Sequence, residues 1–282
     1  MRILSWNIQW GRGTGGRVDL VRSAETVRRH RAEVLCLQEV AVNHPGLPGG
    51  AAEDQPARLA SLFPGFEAVY GVGSDLADGA GGRRQFGELI LSRLPVIQAF
   101  RHLLPWPSDP AVPSMQRVAV EVVVEAPAGP LRIVTTHLEY YSLVQRAAQV
   151  EALRNLQAEG SRQGRAARSA AETDPPFAVL PRGVSAVFCG DFNFPAGAPE
   201  HARLLAPIAE DVPSLLDAWS VLHPGQPHGP TAGVHGASFG DGPACCDFFF
   251  VSADLAARLL RLEVDAATEA SDHQPVLLEL DC

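Results

Sequence analysis

Apolar residues along this chain come in short runs broken by glycine, proline and charge, and the spacing within each run decides which element it predicts. Residues 2–8 read as a strand. Asp19 stands where a helix N-cap belongs, ahead of Leu20, Val21, Ala24 and Val27 at helical spacing. Residues 34–39 read as a second strand, so the chain opens as a β-α-β unit. A Gly/Pro-rich loop is predicted over 43–56 and a short helix over 57–63. Strand-like runs follow at 67–70, 89–92, 97–103, 117–125 and 131–137, and their density predicts antiparallel pairing. Val144, Ala147, Ala148, Val150, Leu153 and Leu156 mark an amphipathic helix over 143–157. The polar stretch 159–183, rich in arginine, alanine and proline, reads as an inserted surface loop with some helix. A strand at 186–189, helices near 200–208 and 214–222, a strand at 247–252, a helix at 253–259 and a strand at 275–280 complete the pattern. No repeat, heptad or linker divides it, which predicts one α/β domain over 1–282.

A chain of 282 residues, 46% hydrophobic and 20% charged, has the composition of a soluble globular protein able to bury a sizeable core. No apolar run approaches the roughly 20 residues a membrane helix needs. The first strand begins at once, leaving no room for a cleavable signal, so a cytoplasmic location is expected. Of the five cysteines, Cys36 and Cys189 lie inside apolar runs as small hydrophobes, while Cys245, Cys246 and Cys282 complete neither a disulfide framework nor a zinc pattern. Unpaired thiols are expected. All 23 basic residues are arginine, which excludes a lysine Schiff base and a Walker-type phosphate loop. The net charge of −9 opposes sequence-independent capture of duplex nucleic acid, although a local arginine patch can exist on an acidic protein.

Chemistry-bearing residues fall at the ends of the apolar runs. Glu39 ends an otherwise apolar strand, where an unpaired carboxylate costs several kcal/mol unless a cation or hydrogen bonds meet it. Asn7 can offer a carbonyl to a metal or an amide to a phosphate oxygen; a turn-forming role is the alternative. In Gly190-Asp191-Phe192-Asn193, an extended backbone would point Asp191 and Asn193 to one side, with an Asx-turn as the alternative. Asp272 and His273 are adjacent and would face opposite ways, so another acid must orient the imidazole. Asp247, opening the run of Phe248, Phe249 and Phe250, is the candidate. His137 ends the 131–137 strand as a second imidazole.

Taken together and in order, Trp6-Asn7-Ile8, Leu37-Gln38-Glu39, Thr136-His137-Leu138, Gly190-Asp191-Phe192-Asn193, Cys246-Asp247-Phe248 and Ser271-Asp272-His273 resemble the endonuclease/exonuclease/phosphatase superfamily. The resemblance spans 3–276. It implies a four-layered sandwich of two mixed β-sheets flanked by helices, with a site across one end. It also implies that Asn7, Glu39 and Asp272 bind Mg2+ or Mn2+, that Asp191 and Asn193 handle protons and bind the transition state, that Asp247 orients His273, and that His137 contacts the scissile phosphate. Two departures stand out. Gln9 replaces an acid found two residues after the asparagine in abasic-site endonucleases, and Cys245-Cys246 replaces a frequent arginine before Asp247. Glu88, in another segment similar to the family, could either join the site or face solvent.

These residues suit phosphodiester hydrolysis by water, with oxygen and amide donors favouring a hard cation over zinc. Whether Asp191 or His273 activates the water is open from sequence. Nucleic acid is the first-ranked substrate, followed by a small-molecule or lipid phosphate; a catalytically inactive binding module of the same fold is a further alternative. Arg83, Arg84, Arg117 and the arginines of 162–168 could contact phosphates. A monomer is expected.

Overall fold

In the computed structural model of this chain, residues 1–166, 182–236 and 242–281 are described. They form two mixed sheets face to face, with helices on the outer side of each. The first sheet has the order β12-β13-β1-β2-β5-β4, with β3 paired to β2, and the second has the order β10-β11-β9-β8-β7-β6. The strands are β1 Arg2–Asn7, β2 Val34–His44, β3 Ala51–Asp54, β4 Glu67–Ala77, β5 Arg83–Ser92, β6 Val96–Leu103, β7 Val118–Ala126, β8 Gly129–His137, β9 Ala186–Asp191, β10 Leu215–Asp217, β11 Asp247–Ser252, β12 Leu259–Val264 and β13 Val276–Leu280.

Strand alternation builds the layers. Ile3, Cys36, Ile90, Val122, Ile133, Cys189 and Phe249 face inward and form the core between the sheets. Their neighbours of opposite parity face outward. Leu4, Trp6, Leu35 and Leu37 pack under helices α1 (Leu20–Arg29) and α2 (Gln55–Leu62). Val134, Phe188, Phe248 and Phe250 pack under α3 (Leu143–Arg165) and the short α4 (Pro199–Leu205). Cys36 and Cys189 are free and fill space as small hydrophobes. Asp19 accepts from the Arg22 amide and starts α1, while Ser142 does the same for α3.

Several boundaries differ from the sequence expectation. The 43–56 loop is partly strand, because β2 runs on to His44 and turns through 45–50 into β3. The two short runs at 67–70 and 89–92 are halves of one long hairpin, β4 with β5, whose polar tip hides its strand character. Helix α3 extends past 157 to Arg165, so part of the expected insertion is helix; the rest of it, 167–181, lies outside the described residues. The stretch 214–222 divides into β10 and the short helix α5 (Ala218–Leu222), since Asp217 caps the Trp219 amide and stops the strand there. The helix expected at 253–259 is a 3-10 turn, Ala253–Arg258, and β12 follows it; two arginines and a glutamate within 258–263 mask its alternation. No helix among the described residues is long and apolar enough to cross a membrane.

Topology decides where the strand ends meet. β1 and β2 are parallel, as are β8 and β9, so Asn7, Glu39, His137 and Asp191 emerge at one end. β11 runs antiparallel to β9 with Asp247 opposite Asp191, and β13 runs antiparallel to β1, so Asp247 and the segment before Val276 start at that same end.

Candidate active site

Two local backbone features aim the first acids. β2 shifts register between Leu37 and Val40 against β5, and Glu39 sits in that bulge with φ of 59°, a left-handed conformation that glutamate rarely adopts. The bulge turns the Glu39 carboxylate to the sheet edge. Between β8 and β9, Gly190 lets the strands approach so closely that a Cβ there would lie 1.9 Å from the Thr136 carbonyl oxygen. That approach holds His137 and Asp191 in register.

Asn7 links the two acids. Its Nδ2 donates to Glu39 Oε1 at 3.0 Å and to Asp191 Oδ2 at 3.1 Å, while its Oδ1 accepts from the Gln9 amide at 3.0 Å. His137 lies between the same acids, with Nδ1 3.7 Å from Glu39 Oε1 and Nε2 3.5 Å from Asp191 Oδ2. His273 points Nδ1 at Asp247 Oδ2, 2.9 Å away, and Nε2 at Asp191 Oδ2, 3.6 Å away. Asp272 faces away from this pair and accepts from Gln9 Nε2 at 2.5 Å. Adjacent residues on an extended backbone do diverge, and the structure separates Asp272 from Asp247 accordingly. Asn193 is not on an extended backbone: β9 ends at Asp191, and Asn193 is left-handed with φ of 53°. Its amide N–H donates to Asp191 Oδ1, and its Nδ2 donates to the Leu138 carbonyl. The alternation expected through 193 therefore gives way to an Asx-turn.

Four further residues support this set. Thr231 donates its hydroxyl to Asp247 Oδ2 at 2.6 Å, and its Oγ accepts from the Asp247 and Cys246 amides. Trp6 Nε1 donates to the His273 carbonyl, and Ser271 Oγ donates to the Asn7 carbonyl. Glu88 does not face solvent. It shares parity with Ile90 and is buried between the sheets, with Oε2 unpartnered. That parity was the available signal. Thr231 had none, because it lies in a Gly/Pro-rich loop and reaches Asp247 only through the fold.

Charge at this edge is lopsided. Burial pushes Glu39 up to about 7, opposed by the Asn7 hydrogen bond and reinforced by Asp272. Burial also raises Asp191 to about 6 against the attraction of His273, raises Asp272, and raises Glu88 to about 8 against the attraction of Arg117. His273 goes the other way. Burial alone would lower it, but Asp247 and Asp191 together push it up to about 10. His137 is depressed by burial, then by Arg117 and His273, and stays neutral with a buried Nδ1 that no hydrogen bond satisfies.

The crowding of Glu39, Asp191 and Asp272, all with oxygen donors, suits a hard divalent cation. Asp191, Cys246 and His273 also bring ligand atoms within 4.8 Å of one another. They do not suit a cation as well, because Cys246, raised by burial and by Asp191 and Asp247, keeps its proton, and His273 is committed to Asp247.

The arginines divide clearly. Arg117 reaches the site's underside, pairing with buried Glu139 at 3.3 Å and leaving Nη1 unpartnered. Arg83 pairs with Asp75, Arg84 donates to the Ala77 carbonyl, and Arg162 and Arg165 are held by Asp211. Arg168 lies outside the described residues.

Comparison with known proteins agrees with this construction. No curated protein sequence matches the chain. Among solved structures, an endonuclease/exonuclease/phosphatase from Beutenbergia cavernae is similar at TM-score 0.70 and 24% identity, over 99% of this chain and 70% of that one. A mannosyl-6-phosphatase from Bacteroides thetaiotaomicron is similar at TM-score 0.66 and 18% identity, over 100% of both chains. The human Nocturnin catalytic domain, with a bound sulfate anion, is similar at TM-score 0.63 and 16% identity, over 100% of this chain and 93% of that one. At these identities the likeness is one of fold. The sequence model described as the Endonuclease/Exonuclease/phosphatase family matches residues 4–273, nearly the whole span between the first strand and His273. A chain with that match, that sandwich and acids and imidazoles gathered at one sheet edge belongs to the endonuclease/exonuclease/phosphatase family.

Proposed function

We propose that this protein hydrolyses phosphodiesters with the help of Mg2+ or Mn2+, with nucleic acid as the first-ranked substrate. The observation that carries the reading is Asp191, whose Oδ2 faces both imidazoles and the Asn7 amide at one buried strand end. Glu39 and Asp272 would hold the cation. Asn7, with its nitrogen toward both Glu39 and Asp191, would position those carboxylates and join the ligands through oxygen if its amide turns over. When bound, the cation would neutralise charge building on the phosphoryl oxygens.

The side chains would divide the proton work by their electrostatics. His273, charged between Asp247 and Asp191, has no lone pair to accept a proton and would serve as a donor to a phosphoryl oxygen. Asp191 is then the base: a water proton passes to its carboxylate as the water oxygen bonds to phosphorus and the bond to the leaving oxygen breaks. His137 would donate to the phosphate, and Asn193 has a second amide hydrogen for the same purpose.

Tyr140 and Tyr141, three and four residues beyond His137, are exposed at 47% and 57% and could stack on bases at the rim. That favours a single strand or a chain end over a duplex, in keeping with the acidic net charge. A phosphatase acting on a small phosphate is the second reading, favoured by the ion-paired surface arginines.

The test is a screen of purified protein with each cation against plasmid DNA, abasic duplex, single-stranded RNA, bis-nitrophenyl phosphate, sphingomyelin and inositol polyphosphates. Cation-dependent cleavage of single-stranded nucleic acid and the nitrophenyl diester is expected. Release of phosphate from monoesters alone would overturn the diesterase reading.

A further inference from the structure

On the outer side of the second sheet, away from the carboxylate edge, three polar side chains from three segments meet among aromatic rings. His201 of α4 and His228 of the 223–230 loop direct their Nε2 atoms at the same oxygen, Asp217 Oδ2, at 3.1 and 2.6 Å. His201 and Asp217 are buried and His228 nearly so. All three ligand atoms lie within 4.8 Å of one another. Phe248 packs against both imidazoles at 5.4 Å, Phe250 flanks His201, and Trp219 stacks on His228.

We infer that His201, Asp217 and His228 form a second metal site, selective for zinc, that fastens the outer layer to the back of the active site. Two imidazole nitrogens and one carboxylate oxygen are a borderline-soft donor set, which suits zinc and not the hard cation expected at Glu39. Zinc bonds of about 2.0–2.2 Å at tetrahedral angles place neighbouring ligand atoms roughly 3.3 Å apart, so the His201 pair needs to open by about 0.2 Å and the His228 pair by about 0.7 Å. His228 is the longer mover, and its partial exposure provides the entry path. Three protein ligands leave the fourth position for water. The aromatic shell limits solvent around the ion.

Position gives the site its meaning. α4 follows the turn that carries Asn193, and the 223–230 loop leads directly into Thr231, whose hydroxyl holds Asp247. An ion shared by His201 and His228 would tie together the two segments behind Asn193 and Asp247. This inference is independent of the proposed substrate and of the cation at Glu39.

The test measures zinc content and zinc affinity of the full chain after chelator treatment and refilling. It compares wild type with Glu39→Gln, His273→Ala, His228→Ala and the milder His228→Gln, each checked for folding by circular dichroism. Expected are one zinc per chain with Kd below about 1 µM, unchanged in Glu39→Gln and His273→Ala. His228→Ala and His228→Gln should weaken it at least about 100-fold, and zinc should raise the wild-type Tm by about 3 °C or more. Failure of the folded wild type to take up zinc would overturn the site, as would zinc retained at full affinity in the folded His228 variants or lost only in His273→Ala. A wild-type protein that binds zinc but cleaves no phosphodiester with Mg2+ or Mn2+ would instead count against the proposed function alone.

Discussion

Two of the buried charge groups among the described residues are built in opposite ways. In the second sheet, fully buried Glu121 accepts two hydrogen bonds from Arg182 at its Oε1 and another at Oε2, and one from His102, with Arg132 nearby. Burial would raise that carboxyl, yet His102, Arg182 and Arg132 pull it below its ordinary value. Arg182 also lies 4.5 Å over the Phe100 ring. At the sheet edge, Glu39, Glu88, Asp191 and Asp272 are raised instead, and His273 is the charged counterweight. A satisfied ion cluster needs nothing from outside. An edge left short of positive charge is poised to take a cation and a polar substrate, and the cost of holding it so falls on the surrounding fold.

The sharpest way to break this comparison is at the His273 pair. His273→Ala and Asp247→Asn should each lower kcat/KM by about 10³ or more, and the double variant should be scarcely worse than His273→Ala, because partners acting as one unit are strongly non-additive. Effects that multiply would assign Asp247 to the strand alone. Next in size is Glu39→Gln, expected to reduce turnover by about 10²–10³ at limiting Mg2+, with partial recovery by excess Mn2+ and an unchanged circular dichroism spectrum. Activity equal to wild type at limiting cation would remove Glu39 from the ligands.

The satisfied cluster should respond in stability rather than rate. Arg182→Ala strands Glu121 in the core and should cost about 3–5 kcal/mol in urea unfolding. A loss within about 0.5 kcal/mol would mean that His102 and Arg132 suffice.

Glu88 offers the clearest sign. Its pKa is about 8 in the fold against 4.5 as a free side chain, so the native state binds the proton more tightly. Its contribution is present below about 4.5 and lost as pH rises through about 8. In the cation-free protein, the stability of Glu88→Gln relative to wild type should climb between about pH 4.5 and pH 8 and level off above that. A constant difference across that range would show that Glu88 does not titrate with folding.

Much of this was legible in the chain. α1 announced itself by one apolar face, and β1, β2, β8, β9 and β11 by short apolar runs buried on both faces, as in the parity that sends Phe249 between the sheets and Phe248 and Phe250 under the helices. The paired layers of the sandwich came from the ordered motifs and not from periodicity. β12 and the ends of β4 and β5 were not legible, since polar residues on exposed strand tips carry no alternation. Glu88 was half legible: its parity pointed inward, but its charge argued for solvent.

By itself the sequence determined the residue types, their order and the apolar runs beside which Asn7, Glu39, His137, Asp191, Asp247 and His273 fall, because short-range period and punctuation are local properties. Only the tertiary structure decided that Thr231 holds Asp247 and Gln9 holds Asp272, and that His201 and His228 share Asp217. Those contacts join segments far apart along the chain, and they depend on strand direction and register across two sheets, which no local window of residues contains.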